Sequence, residues 1–157
     1  MKQSKGFSLI ELLIAIGIIG ILSTIAAFSW NRYVTNTNLR TATRDVASDI
    51  ILLKARAVSE SRQYRITFNV GANNYAVEQW NIGTGVYDII QTKSPTAFGS
   101  DIFIDVTTFV GDRVTFLPRG TLSGVGGTVR LKNSRNSKTA IIVNITGKTR
   151  VELDDMQ

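Results

Sequence analysis

Lys5-Gly6-Phe7-Ser8-Leu9-Ile10-Glu11-Leu12-Leu13 opens a stretch that runs on without a charged residue as far as Trp30. Leu12 to Trp30 is 19 residues, and at about 1.5 Å per residue such a helix spans about 28 Å, close to the thickness of a bilayer core. Ile, Leu and Ala dominate the run, Lys2 and Lys5 precede it, and no small-x-small cleavage site follows it. The pattern is that of a retained membrane helix behind a short basic leader. Glu11 interrupts the apolar segment near its start. A carboxylate at the centre of a membrane helix costs roughly 2.5–3.5 kcal/mol and less near an end, so its presence asks for a reason. One reason is local, because an acid in a first turn complements the helix dipole.

The same residues resemble the processing site of type IV pilins and type II secretion pseudopilins: a basic leader, Gly6, Phe7, the hydroxyl of Ser8, aliphatics, and Glu11 as the fifth residue after the glycine. The resemblance implies cleavage between Gly6 and Phe7 by a prepilin peptidase, with N-methylation of Phe7 by the same peptidase/methyltransferase system. It also implies that Glu11 acts in filament assembly, facing the terminal amine of a neighbouring subunit's Phe7. This role and the dipole role are compatible.

Working outward, the helical pattern continues past Trp30. Leu39, Ala42, Val46, Ile50, Leu53 and Ala57 recur at steps of three and four, with Arg32, Arg40, Arg44, Asp45, Asp49, Lys54 and Arg56 between them. That is one apolar stripe of an amphipathic helix. No proline occurs before Pro95, so the spacing predicts a single helix from about Phe7 to about Ser59. Gly17 and Gly20 either loosen its first half or let helices approach closely in a bundle.

From Gln63 the period shortens to that of strands. Residues 64–68 and 75–80 read as a hairpin around Gly71-Ala72-Asn73-Asn74, and further strands are expected at 86–91, 102–110, 114–116, 129–132, 140–145 and 150–153. Leu117 to Gly127 holds four glycines and reads as a flexible connection, and Asp154 to Gln157 as a frayed polar tail. The order of one long helix and then only strands matches the pilin-like architecture. The expected fold is α+β, a helix whose first half is transmembrane packed on an antiparallel β-domain. Residues 1–6 form the leader, 7–30 the transmembrane half, 31–60 the amphipathic half-helix and 61–157 the β-domain. Within the C-terminal third, Val114-Thr115-Phe116-Leu117-Pro118-Arg119-Gly120 and Ile141 to Arg150 resemble the GspH/FimT group of minor pseudopilins and minor pilins.

Composition narrows the function. The chain has no Cys and no His, which removes disulfides, the common nucleophile–base pairs and most zinc sites. Asp101 and Asp105 are the nearest thing to a carboxylate pair, and four residues along a strand do not bring them together. An enzyme, a cofactor and a metal site are therefore not expected. Of the 18 basic and 12 acidic residues, 16 and 11 fall from Asn31 onward. From Arg113 to Val151 there are eight cations and no acid. Such a surface either solubilises the domain or attracts an anionic partner.

Some FimT-like members bind DNA through a terminal Gly-Arg-x-Arg motif, and Gly147-Lys148-Thr149-Arg150 stands at the matching place, with Lys keeping the charge but not the bidentate fork. The resemblance thus implies a minor pilin or pseudopilin of the bacterial inner membrane. Its domain would lie in the periplasm before incorporation, and its partners would be other pilins. The alternative is a DNA-binding minor pilin acting in DNA uptake, with Lys148, Arg150, Arg130, Lys132, Arg135 and Lys138 as candidate contacts. No aromatic residue falls between Val129 and Gln157, so the sequence shows no platform for base stacking.

Overall fold

A computed structural model describes residues 8–155 and all their side chains except those of 25–28, 154 and 155. Gly6 and Phe7 lie outside the described residues. Helix α1 runs Leu9–Ser59, and its residues fall into two compact units divided after Val34. In the first unit the large apolar side chains from Leu9 to Leu22 are all more than half exposed. Ser23 and Thr24 return their hydroxyls to the carbonyls of Ile19 and Gly20, both at 2.7 Å. A polar side chain can therefore sit in this apolar helix without an unmet hydrogen bond. A Cβ on Gly17 or Gly20 would meet only open space.

In the second unit α1 buries Leu39, Ala42, Val46, Ile50, Leu53 and Ala57, each 2% exposed or less, so the expected stripe is the core face. The helix stops at Ser59. Ser61 takes a positive φ of 50°, and Arg62 N–H reaches back to the Ala57 carbonyl, a local turn that meets one of the helix's last free carbonyls.

Strands follow as β1 Tyr64–Asn69, β2 Asn74–Asn81, β3 Val86–Lys93, β4 Phe103–Thr107, β5 Arg113–Phe116, β6 Gly127–Lys132, β7 Lys138–Val143 and β8 Thr149–Asp155. They form two antiparallel four-stranded sheets, ordered β3-β2-β1-β5 and β4-β6-β7-β8. Alternation sends Tyr64, Ile66 and Phe68 of β1, and Val129 and Leu131 of β6, into one core with the helix stripe.

Several boundaries differ from the sequence reading. The strand expected over 102–110 ends at Thr107, because Phe109 turns inward to stack on Phe68 with ring centroids 6.3 Å apart. The chain then makes a short 3-10 turn, Val110–Asp112. β7 ends at Val143 rather than 145, and Ile145 is 58% exposed. The glycine-rich connection is tied down: Leu122 bridges to Phe116, its N–H donates to the Ile145 carbonyl at 3.0 Å, and Ser123 N–H donates to that of Thr115 at 2.8 Å. Asp154 and Asp155 close β8 instead of fraying, with Asp155 opposite Lys138.

Candidate functional site

Two places carry chemistry the sequence singled out. At the first, Glu11 lies in the first turn of α1, exposed among exposed Leu9, Ile10, Leu12 and Leu13. Its own N–H and that of Leu12 both donate to the Ser8 carbonyl at 3.1 Å. A carboxylate here complements the positive end of the helix dipole and is the sole charge among the described residues before Arg32.

The second place is the face of the β4-β6-β7-β8 sheet that points away from the core. Residues opposite one another in an antiparallel register share a face. Lys132 is opposite both Phe103 and Lys138, Arg130 is opposite Ala140, and Ala140 is opposite Glu152. Arg150 is opposite Ile142, which is opposite Thr128. Alternation along β6 and β8 then puts Arg130, Lys132, Lys138 and Arg150 on one face. Arg135 lies in the turn between β6 and β7, and Lys148 in the turn just before β8.

Part of the charge is locally matched. Lys132 Nζ sits 2.6 Å from Asp105, and Arg150 is 2.5 Å from Glu152. Arg150 is nevertheless 65% exposed and Lys132 39%, so water screens both pairs and leaves the cations accessible to a stronger anion. The sequence missed Phe103, 41% exposed on this same face. It arrives from β4, about thirty residues upstream of Lys132, and only strand pairing brings it there.

The motif glycines have a separate, structural job. Gly147 holds φ at 72°, and a Cβ there would stand 2.6 Å from the Gly120 carbonyl. Gly120 itself has φ 80°. Lys54 of α1 reaches this junction and donates to the carbonyls of Thr146 and Gly147 at 3.1 and 3.3 Å. The two segments that carried the C-terminal resemblance therefore meet at one backbone contact, clamped by a helix cation, which the spacing of the sequence did not reveal.

A third cluster anchors α1 to the strands. Tyr75 donates to Asp49 at 2.8 Å, and Lys93 Nζ lies 2.8 Å from Asp49 and 3.6 Å from Asp45. Burial, and then the hydrogen bond to Asp49, push the Tyr75 phenol up from its ordinary value. Burial pulls Lys93 down, but its bonds to Asp49 outweigh that and leave it raised.

This architecture has relatives. The family described as type II transport protein GspH matches residues 42–147. The chain belongs to the GspH family. A prokaryotic N-terminal methylation motif matches residues 1–27. Two curated fimbrial proteins of Pseudomonas aeruginosa are each 44% identical over 48 residues, which is 31% of this chain and 31% of each of them. The chain thus matches about a third of the length of those relatives. Among solved structures, the minor pseudopilin EpsH of the Vibrio cholerae type 2 secretion system aligns with TM-score 0.62 at 10% identity, covering 74% of this chain and 97% of that one. The type IV minor pilin FimU of Pseudomonas aeruginosa aligns with TM-score 0.60 at 12% identity, covering 76% and 92%. At such identities the likeness establishes a common fold, in agreement with the GspH family and the pilin-like architecture.

Proposed function

We propose that this GspH-family protein is a minor subunit of a type IV pilus or type II secretion pseudopilus, cut between Gly6 and Phe7, methylated on Phe7, and assembled from the inner membrane through Glu11 and the apolar half of α1. The observation that carries the reading is a methylation motif heading a helix with its apolar residues exposed, in a chain whose later helix residues are buried in a GspH-type domain. Intact-mass analysis of membrane-extracted protein should show loss of residues 1–6 and gain of one methyl group. A mature chain that keeps Lys2 and Lys5 refutes the processing step. Glu11→Ala should leave the folding of residues 35–157 unchanged and reduce recovery in sheared filaments, and normal recovery would reduce Glu11 to a dipole residue.

The shared face of Arg130, Lys132, Lys138 and Arg150 favours a second reading, DNA binding by the assembled subunit, with Lys148 and Arg135 at its margins. Contacts to phosphate would dominate, so binding would be independent of sequence and steeply salt-sensitive. Duplex DNA titrated with the fragment beginning at Asn31 tests this. Lys148→Ala with Arg150→Ala should flatten the log–log salt slope by about 1.8. A double variant that binds like the parent excludes those two contacts.

A further inference from the structure

The β3-β2-β1-β5 sheet carries a cleft that neither α1 nor the cation face of the other sheet accounts for. Its volume is about 490 Å³, within the range of ligand pockets. Its walls mix the apolar Tyr87, Val110, Leu122 and Val125 with two guanidiniums, Arg65 and Arg113. Arg65 is opposite Thr115 in the β1–β5 register, and Ile66 and Val114 beside them are buried in the core. Arg65 and Arg113 therefore share the face that points away from the core, as diagonal neighbours about 7–8 Å apart.

The two cations are held differently. Arg65 is 19% exposed, its Nε donates to Glu78 at 2.7 Å, and its guanidinium lies 3.8 Å from the Tyr87 ring centroid. Its charge is already matched. Arg113 is exposed and meets no carboxylate among the described residues. Its Nε donates to the Gly111 carbonyl at 3.3 Å. Gly111 holds φ at 65°, and a Cβ there would stand 2.9 Å from Arg113 Nε and from Nη2. The glycine thus lets the guanidinium rest against the turn with its Nη groups unused, the fork that a carboxylate takes bidentately.

The rim decides what else the ligand carries. Val110 is 78% exposed and Val125 66%. A bare anion would use Arg113 and leave both valines in water, whereas a carboxylate flanked by aliphatic side chains would use all three. We propose that this cleft binds an extended segment of another protein, with an Asp or Glu carboxylate on Arg113 and an aliphatic neighbour against Val110 and Val125. Arg65, fixed by Glu78 and Tyr87, is a wall of the cleft. Every lining residue belongs to the second unit, so the proposal stands or falls apart from the filament reading and from whatever surrounds the first half of α1.

The full chain in detergent, titrated with the blocked peptides acetyl-Val-Glu-Val-amide and acetyl-Val-Gln-Val-amide, tests it. The readouts are the NMR resonances of Arg113 Nε–H, identified by its loss in Arg113→Gln, and of the Ser123 and Gly124 amides. The Glu peptide should shift all three saturably, and the Gln peptide should bind about tenfold more weakly, as expected for losing a hydrogen bond to a charged group. In Arg113→Gln the two peptides should bind alike, and Val125→Ser should weaken both by the same factor. A parent protein that binds both peptides equally, or neither, overturns the proposal without recourse to a variant. An Arg113→Gln protein that keeps the tenfold preference removes Arg113 from the site. Propionate or inorganic phosphate binding as tightly as the Glu peptide overturns the protein partner.

Discussion

Leu9 to Leu22 and Leu39 to Ala57 belong to one helix, yet the large apolar side chains of the first are exposed and the apolar stripe of the second is buried. Leu9 is 77% exposed and Ile21 65%, while Leu39, Ile50 and Ala57 are at 0%. The difference lies in how apolar residues are distributed around the axis. The later half keeps its buried ones on one stripe and puts charges, with a few exposed apolar residues such as Ile51 and Leu52, on the rest, so a single β-domain face can cover the stripe. The earlier half is apolar on every side, which no single face can satisfy. Its partner has to surround it, as lipid does, or as a bundle of like helices does.

The largest test of this contrast is a matched pair of truncations. Ile50→Ala should cost the domain about 2–5 kcal/mol, because it empties space that β1 and β6 cannot fill by collapse. Ile14→Ala should leave the domain's denaturation midpoint unchanged, since nothing in the described fold packs on that side chain. Chemical denaturation of both variants in detergent checks the pair. Equal losses would mean that the apolar half contributes to the domain's stability after all.

The helix stripe was legible because periodicity needs only local sequence, and all eight expected strands form, several with shifted ends. What was not legible depends on contacts between distant segments. Phe109 leaves its strand to reach Phe68, Leu122 pins a loop that looked free, and Phe103 joins the cations of β6 and β7 through pairing alone. Lys54 stood in the sequence only as one of the charges between the stripe residues, and its role at Gly120 and Gly147 follows from the fold.

A smaller effect is expected at a polar link within the core. Thr43 and Thr139, both at 0% exposure, share a hydrogen bond of 2.6 Å. Thr43 donates its hydroxyl proton to the Leu39 carbonyl at 2.7 Å, which leaves Thr139 as the donor in the pair. Thr43→Val strands the Thr139 hydroxyl and should cost about 1–3 kcal/mol, whereas the double Thr43→Val/Thr139→Val variant should recover most of that loss. Additive losses in the cycle would show that the two hydroxyls act independently.

The Tyr75–Asp49–Lys93 cluster predicts the alkaline limit of the second unit. Both Tyr75 and Lys93 are raised in the folded state, so above about pH 10 the unfolded chain releases protons that the folded one retains. Stability is therefore fully present below pH 10 and falls as pH rises further, by at most about 1.4 kcal/mol per pH unit for each group. Tyr75→Phe should reduce the slope measured between pH 10 and 11, and an unchanged slope would place the titrating groups elsewhere.

The smallest stability effect belongs to the exposed face. Glu152 is 42% exposed and its partner Arg150 65%, and pairs this wet contribute about 0–1 kcal/mol. Glu152→Gln should thus barely move the midpoint that Ile50→Ala shifts so far. It does remove the acid that alternation along β8 places on the same face and that pairs with Arg150. If phosphate contacts drive DNA binding, freeing Arg150 should raise affinity at low salt and steepen the log–log salt slope by up to about 0.9, one phosphate's worth of released counterions. The two readouts separate the roles cleanly: a lowered midpoint would make the pair structural, a steeper slope at unchanged midpoint would place Arg150 in the binding face, and an unchanged slope would leave these cations as a solubilising surface.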